Sequence, residues 1–150
     1  MHLTDEIKSS IDKSVLCWLA SCDENHHPTV SSTETFTCLV EEHIVIANIA
    51  SPQSVKNVKV NPKVCLDFID VTIQKGFQLK GKAQIVEKKS ESFRQTKSVL
   101  EKMSQGKYPC NSISKISIES AIPIIAPCYF VSTTIDNEEI ISSAKKVYGF

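Results

Sequence analysis

The chain has 150 residues with 17 Lys+Arg against 17 Asp+Glu, a formal charge of zero, and 41% hydrophobic content. That length suits one domain burying roughly 68–70% of its unfolded surface; the composition is too apolar for disorder, and no apolar run approaches the ~20 residues of a membrane span. Net neutrality also argues against the concentrated basic face of a nucleic-acid binder, and sixteen of the seventeen cationic side chains are lysines, Arg94 being the one arginine.

The segment MHLTDEIKSSIDK lacks a basic stretch followed by an apolar one, which implies no secretory leader and a cytoplasmic protein. Leu3, Ile7 and Ile11 recur at i, i+4 and i+8 behind Thr4, a candidate N-cap followed by Asp5 and Glu6, and this predicts a helix over residues 4–13. VLCWLAS is a strand-length apolar run. DENHHP forms the turn at 23–27, and residues 28–40 are β-rich, so 15–40 reads as a hairpin. In its second arm Thr29, Ser31, Thr33, Thr35 and Thr37 put hydroxyls on one face, which suits either solvated sheet or the wall of a wet groove.

After a turn at 41–43, IVIAN is a third strand over 44–48. Ser51, Pro52 and Gln53 read as N-cap, N1 and N2 of a helix that runs to about Val60, turns Val55 and Val58 to the core and stops at Asn61-Pro62. Residues 63–69 and 76–87 are further strands on either side of the loop VTIQ. Phe93, Thr96, Leu100 and Met103 then line one face of a helix from about Ser90 to near Gly106. IPIIAPCYFV predicts a last strand near 124–134, confined to an edge or bulge by Pro123 and Pro127, with 136–150 a partly helical or loose tail. No repeat or linker divides the chain. The pattern is one domain over 1–150, with its core at about 15–135, mainly β with short helices, closed or nearly closed into a small antiparallel barrel.

Cys17, Cys22, Cys38, Cys65, Cys110 and Cys128 are scattered, with no Cys-x-x-Cys pair and no clustered histidine to make a metal site, so they read first as buried apolar side chains, a redox sensor being the weaker alternative. His26 and His27 belong to a solvated turn. No acid–base pair stands out. Glu34 and His43 come nearest, each fitting a solvated role better, and no catalytic residue is assigned.

The sharpest chemical signal is SPQSVKN, residues 51–57, at a strand-to-helix junction. A helix start offers unpaired backbone N–H groups and a partial positive charge. Ser51 and Ser54 would add hydroxyls and Lys56 a full charge, the components of a phosphate site. The segment also reads as an ordinary N-cap beside a solvated lysine. It has none of the glycines of a Walker or Rossmann loop.

Taken in order, VLCWLASCDENHHPTVSSTETF, IVIAN, SPQSVKNVKVNP, KVCLDFI and GFQLKGKAQIVE resemble the FMN-binding split barrel proteins, the pyridoxamine 5′-phosphate oxidase-like superfamily in its small single-domain form. The resemblance covers about 15–87 and rests on order and spacing, with no one specific motif. It implies a six-stranded antiparallel split β-barrel of Greek-key type flanked by helices, FMN as cofactor, and a homodimer with flavin sites at the subunit interface. It places Val30, Ser31, Ser32 and Thr33 beside the isoalloxazine ring. Asn48, Ser51, Gln53, Ser54, Lys56 and Asn57 fall at the phosphate, with Gln78 and Lys80 reaching a flavin in their own or the partner subunit.

Enzymes of the family that oxidise pyridoxamine phosphate use arginines for the phosphates, because the guanidinium fork binds them bidentately. Arg94 alone cannot supply that set. The resemblance therefore implies a small-substrate oxidoreductase or electron-transfer flavoprotein, without true pyridoxamine phosphate oxidase activity. The other reading is a cofactor-free or non-flavin module on the same fold, binding haem, a deazaflavin or a protein partner.

Overall fold

A computed structural model describes residues 1–131 and 136–149, the Glu41 side chain apart. Helix α1 (Asp5–Lys13) starts where expected: the Thr4 hydroxyl accepts from the Ile7 amide at 3.3 Å, and Leu3, Ile7 and Ile11 are buried. Strands β1 (Cys17–Cys22) and β2 (Pro28–Thr33) form an antiparallel hairpin. Asp23 shapes its turn by accepting the amides of Asn25 and His27 at 2.9 Å each. The backbone N–H of His27 is the main reason the Asp23 carboxyl is held below the usual range.

The expected second arm does not run unbroken to residue 40. It breaks after Thr33, whose hydroxyl accepts from the Thr35 amide at 3.2 Å, and β3 (Phe36–Leu39) pairs instead with β4 (His43–Asn48) beyond a 3-10 turn at Val40–Glu42. Helix α2 (Pro52–Val60), β5 (Lys63–Asp70), β6 (Lys75–Glu87) and α3 (Glu91–Ser104) follow close to expectation. The buried face of α2 differs: Ser54, Asn57 and Val58 face inward, and Val55 is only half-buried.

The largest departure is β7 (Ser112–Ile125), a 14-residue strand in a segment where no strand was expected. It makes the strand count seven, not six, and the antiparallel order is β2-β1-β5-β6-β7-β4-β3. The strand expected at 124–134 does not form: Ile124 and Ile125 end β7, a turn follows, Cys128–Val131 is the short helix α4, and 132–134 lie outside the described residues. The Tyr129 hydroxyl donates to the Ile73 carbonyl at 2.6 Å and the Lys75 ammonium sits 4.0 Å from its ring centre, folding α4 back on the β5–β6 turn. Pro123 is tolerated because β7 pairs there with β6 alone, β4 reaching only to Ser117. The tail forms α5 (Asn137–Tyr148).

Strands β2 and β3 are the two edges of the sheet yet are joined through residues 34 and 35, and the Ala47 amide donates to the Thr35 carbonyl at 3.0 Å. The sheet must therefore curl until its edges meet, which makes it a barrel split at that seam. Phe36, Phe68 and Phe77 fill the interior, with ring centres 6.5 and 6.3 Å apart, and α1 closes it. β4 is covered on both faces, by Ile44 and Ile46 inside and by Val45 and Ala47 under α3, which explains its unbroken apolar run. A Cβ at Gly76 would overlap the Phe68 carbonyl oxygen and one at Gly81 that of Ser117, beside the bulge at Lys80/Gly81, so both strand glycines are required by close approach.

Of the six cysteines, all free, only Cys17 and Cys110 are buried; the other four are partly exposed. Burial pushes the Cys17 thiol up to about 12.

Candidate functional site

The β4–α2 junction is polar and open. Ser51 caps α2 by position, but its hydroxyl makes no capping bond, and Pro52 at N1 supplies the helical φ while lacking an N–H. A cleft of about 610 Å³ opens there, lined by Asn48, Ser51, Lys56, Glu87, Asn111 and Ser112 among others. Lys56 is exposed and has no ion-pair partner among the described residues. Glu87, the carboxylate across the cleft, is already engaged by Lys59 at 2.7 Å.

Polar side chains fix this geometry from below. Ser54 exchanges a 2.9 Å hydrogen bond with Ser31, the Asn57 amide donates to the Ser21 hydroxyl at 3.1 Å, and the Gln53 amide donates to Asn57 Oδ1 at 2.8 Å. Asn48 is buried: its Nδ2 donates to Ser112 Oγ and its Oδ1 accepts from Ser114 Oγ, each at 3.1 Å. Ser54, Asn57 and Asn48 therefore position the junction, while Ser51 and Lys56 stay open to the cleft.

A second pocket of about 300 Å³ lies on the other side of the 49–51 loop, shares Ile49, Ala50 and Ser51 with the first, and adds Ser32, Thr33, Glu34 and Tyr108. Thr33 and Ser31 turn inward, whereas Val30 and Ser32 turn outward. Register carries that outer face across the sheet in two rows, Ser32–Trp18–Asp67–Gln78–Ile122 and Val30–Ala20–Cys65–Lys80–Ser120. Gln78 and Lys80 thus share a face with Val30 and Ser32 but lie three strands away, outside both pockets. Gln78 Nε2 donates to Asp67 Oδ2 at 3.5 Å. The face is mixed, and Trp18, Val30 and Ile122 expose apolar surface on it, at 37%, 62% and 49%.

Glu34 lines the ring-sized pocket; His43 does not, since it begins β4 and Asn48 ends it, roughly 16 Å away at strand rise. Sequence reasoning missed Tyr108, which lies in an aperiodic α3–β7 connection, and Glu87 and Asn111, which the β6–β7 pairing brings to the cleft. No group of three or more His, Cys, Asp or Glu able to hold a metal occurs among the described residues.

An antiparallel barrel split between β2 and β3, with an open helix start beside the seam, is the architecture of the split-barrel proteins. Residues 3–126 match the pyridoxamine 5′-phosphate oxidase family model, and the chain belongs to that family. No curated protein matches it significantly.

Among solved structures it is similar to HupZ from Group A Streptococcus (TM-score 0.68, 19% identity, covering 81% of this chain and 93% of that one). It is also similar to an FMN-binding protein from Syntrophomonas wolfei subsp. wolfei (0.67, 16%, 87% of each chain). A third similar structure is HutZ, the heme storage protein from Vibrio cholerae (0.59, 21%, 83% and 95%). At these identities the likeness is one of fold. Among the described residues no helix is long and apolar enough to cross a membrane.

Proposed function

We propose that the chain is an FMN-binding flavoprotein, a small-substrate oxidoreductase or electron-transfer protein that works in the cytoplasm as a homodimer. The observation that carries this reading is the pairing of the Lys56 cleft with the Ser32–Thr33 pocket across one loop, on a chain of the pyridoxamine 5′-phosphate oxidase family whose structural neighbours include an FMN-binding protein. The donor set fits a phosphate: an unpaired lysine, a free serine hydroxyl, and the first-turn N–H groups of α2. With Glu87 neutralised by Lys59, the cleft keeps its cation for the ligand.

In this arrangement Ser51 and Lys56 hold the phosphate, and Ser54, Asn57 and Gln53 keep the helix start aimed at it. Asn48 fixes the end of β4. Thr33 shapes the inner side of the ring pocket, with Ser32 at its rim, Ser31 behind it bonded to Ser54, and Val30 beside it on the outer face. FMN, when bound, supplies the hydride or electron chemistry, and the protein supplies position and exclusion of water. The apolar surface that Trp18, Val30 and Ile122 expose on the outer face is where a second copy docks, whose Gln78 and Lys80 then approach the flavin. The lone Arg94 exposes its guanidinium on α3, away from both pockets, which supports a substrate other than pyridoxamine phosphate.

The test is a visible spectrum of the purified protein, followed by FMN titration. Flavin absorbance or micromolar binding is expected, together with a dimer in analytical ultracentrifugation that Trp18→Glu converts to monomer. A colourless protein that ignores excess FMN would sink the reading. A Soret band on adding haem instead would favour the non-flavin alternative, although no histidine, cysteine or methionine lines either pocket.

A further inference from the structure

We infer that Tyr108 is the stacking wall of the ring pocket, its phenol lying flat against the aromatic ring of the bound ligand. The inference rests on the flavin reading and adds to it the residue that grips the ring.

Tyr108 sits on the connection between α3 and β7, and that connection is clamped at both ends. At its start Gln105 and Gly106 are left-handed (φ 52° and 67°), and the Lys107 amide donates to the Ser104 carbonyl at 3.1 Å. At its end Cys110 is buried at 9% exposure, and the Asn111 amide donates to the Asn48 carbonyl at 3.2 Å. The backbone around Tyr108 is thereby tied to β4, the strand that leads into the cleft.

The side chain does not behave like a packing residue. It is 57% exposed, and its hydroxyl has no hydrogen-bond partner among the described residues, yet it lines the pocket with Ser32, Thr33, Glu34 and Ser51. A tyrosine that serves the core buries its ring and pairs its hydroxyl. This one puts an exposed aromatic ring in the lining of a small recess of mixed polarity. The rest of the lining mixes the hydroxyls of Ser32, Thr33 and Ser51 with apolar Leu16, Ala47 and Ile49, which suits the polar edge and apolar face of an electron-poor heterocycle, while the phenol offers an electron-rich face. Charge sets the ligand's direction: Glu34 in this pocket repels a phosphate, and Lys56 in the adjoining cleft attracts one. The ring therefore lies under Tyr108 and the phosphate at α2.

The test compares wild type, Tyr108→Phe and Tyr108→Ala in titrations with FMN, following both affinity and the emission of the bound flavin. A stacked phenol quenches flavin fluorescence because an electron passes from the phenol to the excited ring and returns, with no net redox change. Wild type should bind FMN with quenched emission. Tyr108→Phe should bind within about two-fold of wild type but with brighter flavin, because a phenyl ring stacks as well without donating the electron. Tyr108→Ala should brighten the flavin and raise Kd about three- to ten-fold. All three should melt alike, since the side chain is mostly exposed.

If wild type binds FMN and Tyr108→Ala leaves Kd and emission unchanged, this inference falls and the flavin reading stands. An affinity loss in Tyr108→Phe equal to that of Tyr108→Ala makes the hydroxyl the contact and also overturns stacking. If wild type binds no FMN, both readings fall.

Discussion

Helices α1 and α2 are both nine residues long and both pack on the barrel, yet different forces hold them. α1 docks through Ile7 and Ile11, with Leu3 ahead of its cap, all at 2–3% exposure. α2 buries Ser54, Asn57 and Val58, at 2%, 1% and 4%, and hydrogen bonds to Ser31 and Ser21 hold it in place. Apolar burial is strong and non-directional; hydrogen bonds are weaker and fix orientation. A helix that only closes a core needs the first, whereas one whose start must point at a ligand gains from the second. The open cleft lies at the start of α2.

The comparison breaks most visibly under core truncation. Phe68→Ala, in the strand beneath α1, should cost roughly 3–5 kcal/mol, and Ile7→Ala roughly 2–5 kcal/mol, in urea unfolding. Below the transition, the folded Ile7→Ala protein should bind FMN as wild type does, since α1 only closes the barrel. A shift in Kd there as large as that from a change in α2 would erase the distinction between the helices.

Asn57→Ala is the matching change in α2. It leaves the Ser21 hydroxyl and the Gln53 amide without their partner, at about 1–3 kcal/mol. It should destabilise less than Ile7→Ala but weaken FMN binding, through loss of aim. Lys56→Ala should leave unfolding unchanged and raise Kd about ten- to hundred-fold at low salt, the loss of one charge-assisted contact. The deficit should shrink as salt rises, because the site is exposed. Calorimetric titration of the two variants separates orientation from charge.

The same contrast explains what the sequence made legible. α1 was readable because its buried residues recur every four positions behind a capping threonine, a purely local signal. The start of α2 was equally plain from Ser51-Pro52. Its buried face was not, because Ser54 and Asn57 look like solvent-facing residues until Ser31 and Ser21 arrive from β2 and β1. β7 was missed for the same reason. Ser112 and Ser114 interrupt the apolar alternation, and both are buried because Asn48, more than sixty positions earlier, bonds them. Pro123 reads as a breaker until it is seen that β7 has only one neighbour there. The β2–β3 break carries no glycine or proline, only the Thr33 hydroxyl. Apolar helices announce themselves locally, and polar docking is visible only in three dimensions. Tyr108, the exposed wall of the pocket, belongs to neither pattern.

The smallest effect tests the far end of β4. Desolvation, then Lys115, holds the His43 pKa below its ordinary 6.5, with the amino terminus adding and Glu42 opposing. A histidine whose folded pKa is depressed stabilises the fold fully above its unfolded pKa, and that contribution is lost as pH falls through the folded pKa. Between about pH 7 and pH 5, wild type should therefore lose slightly more stability than His43→Gln, by well under 1 kcal/mol for a group this near the surface. Paired thermal melts at the two pH values measure the difference. FMN affinity should be identical in the two proteins at either pH, because His43 stands a strand's length from Asn48 and shares no pocket with Ser51 or Lys56. A His43→Gln change that altered flavin binding would mean that β4 transmits strain along its length, and that the polar end of the barrel depends on its surroundings more than the hydrogen bonds beneath α2 imply.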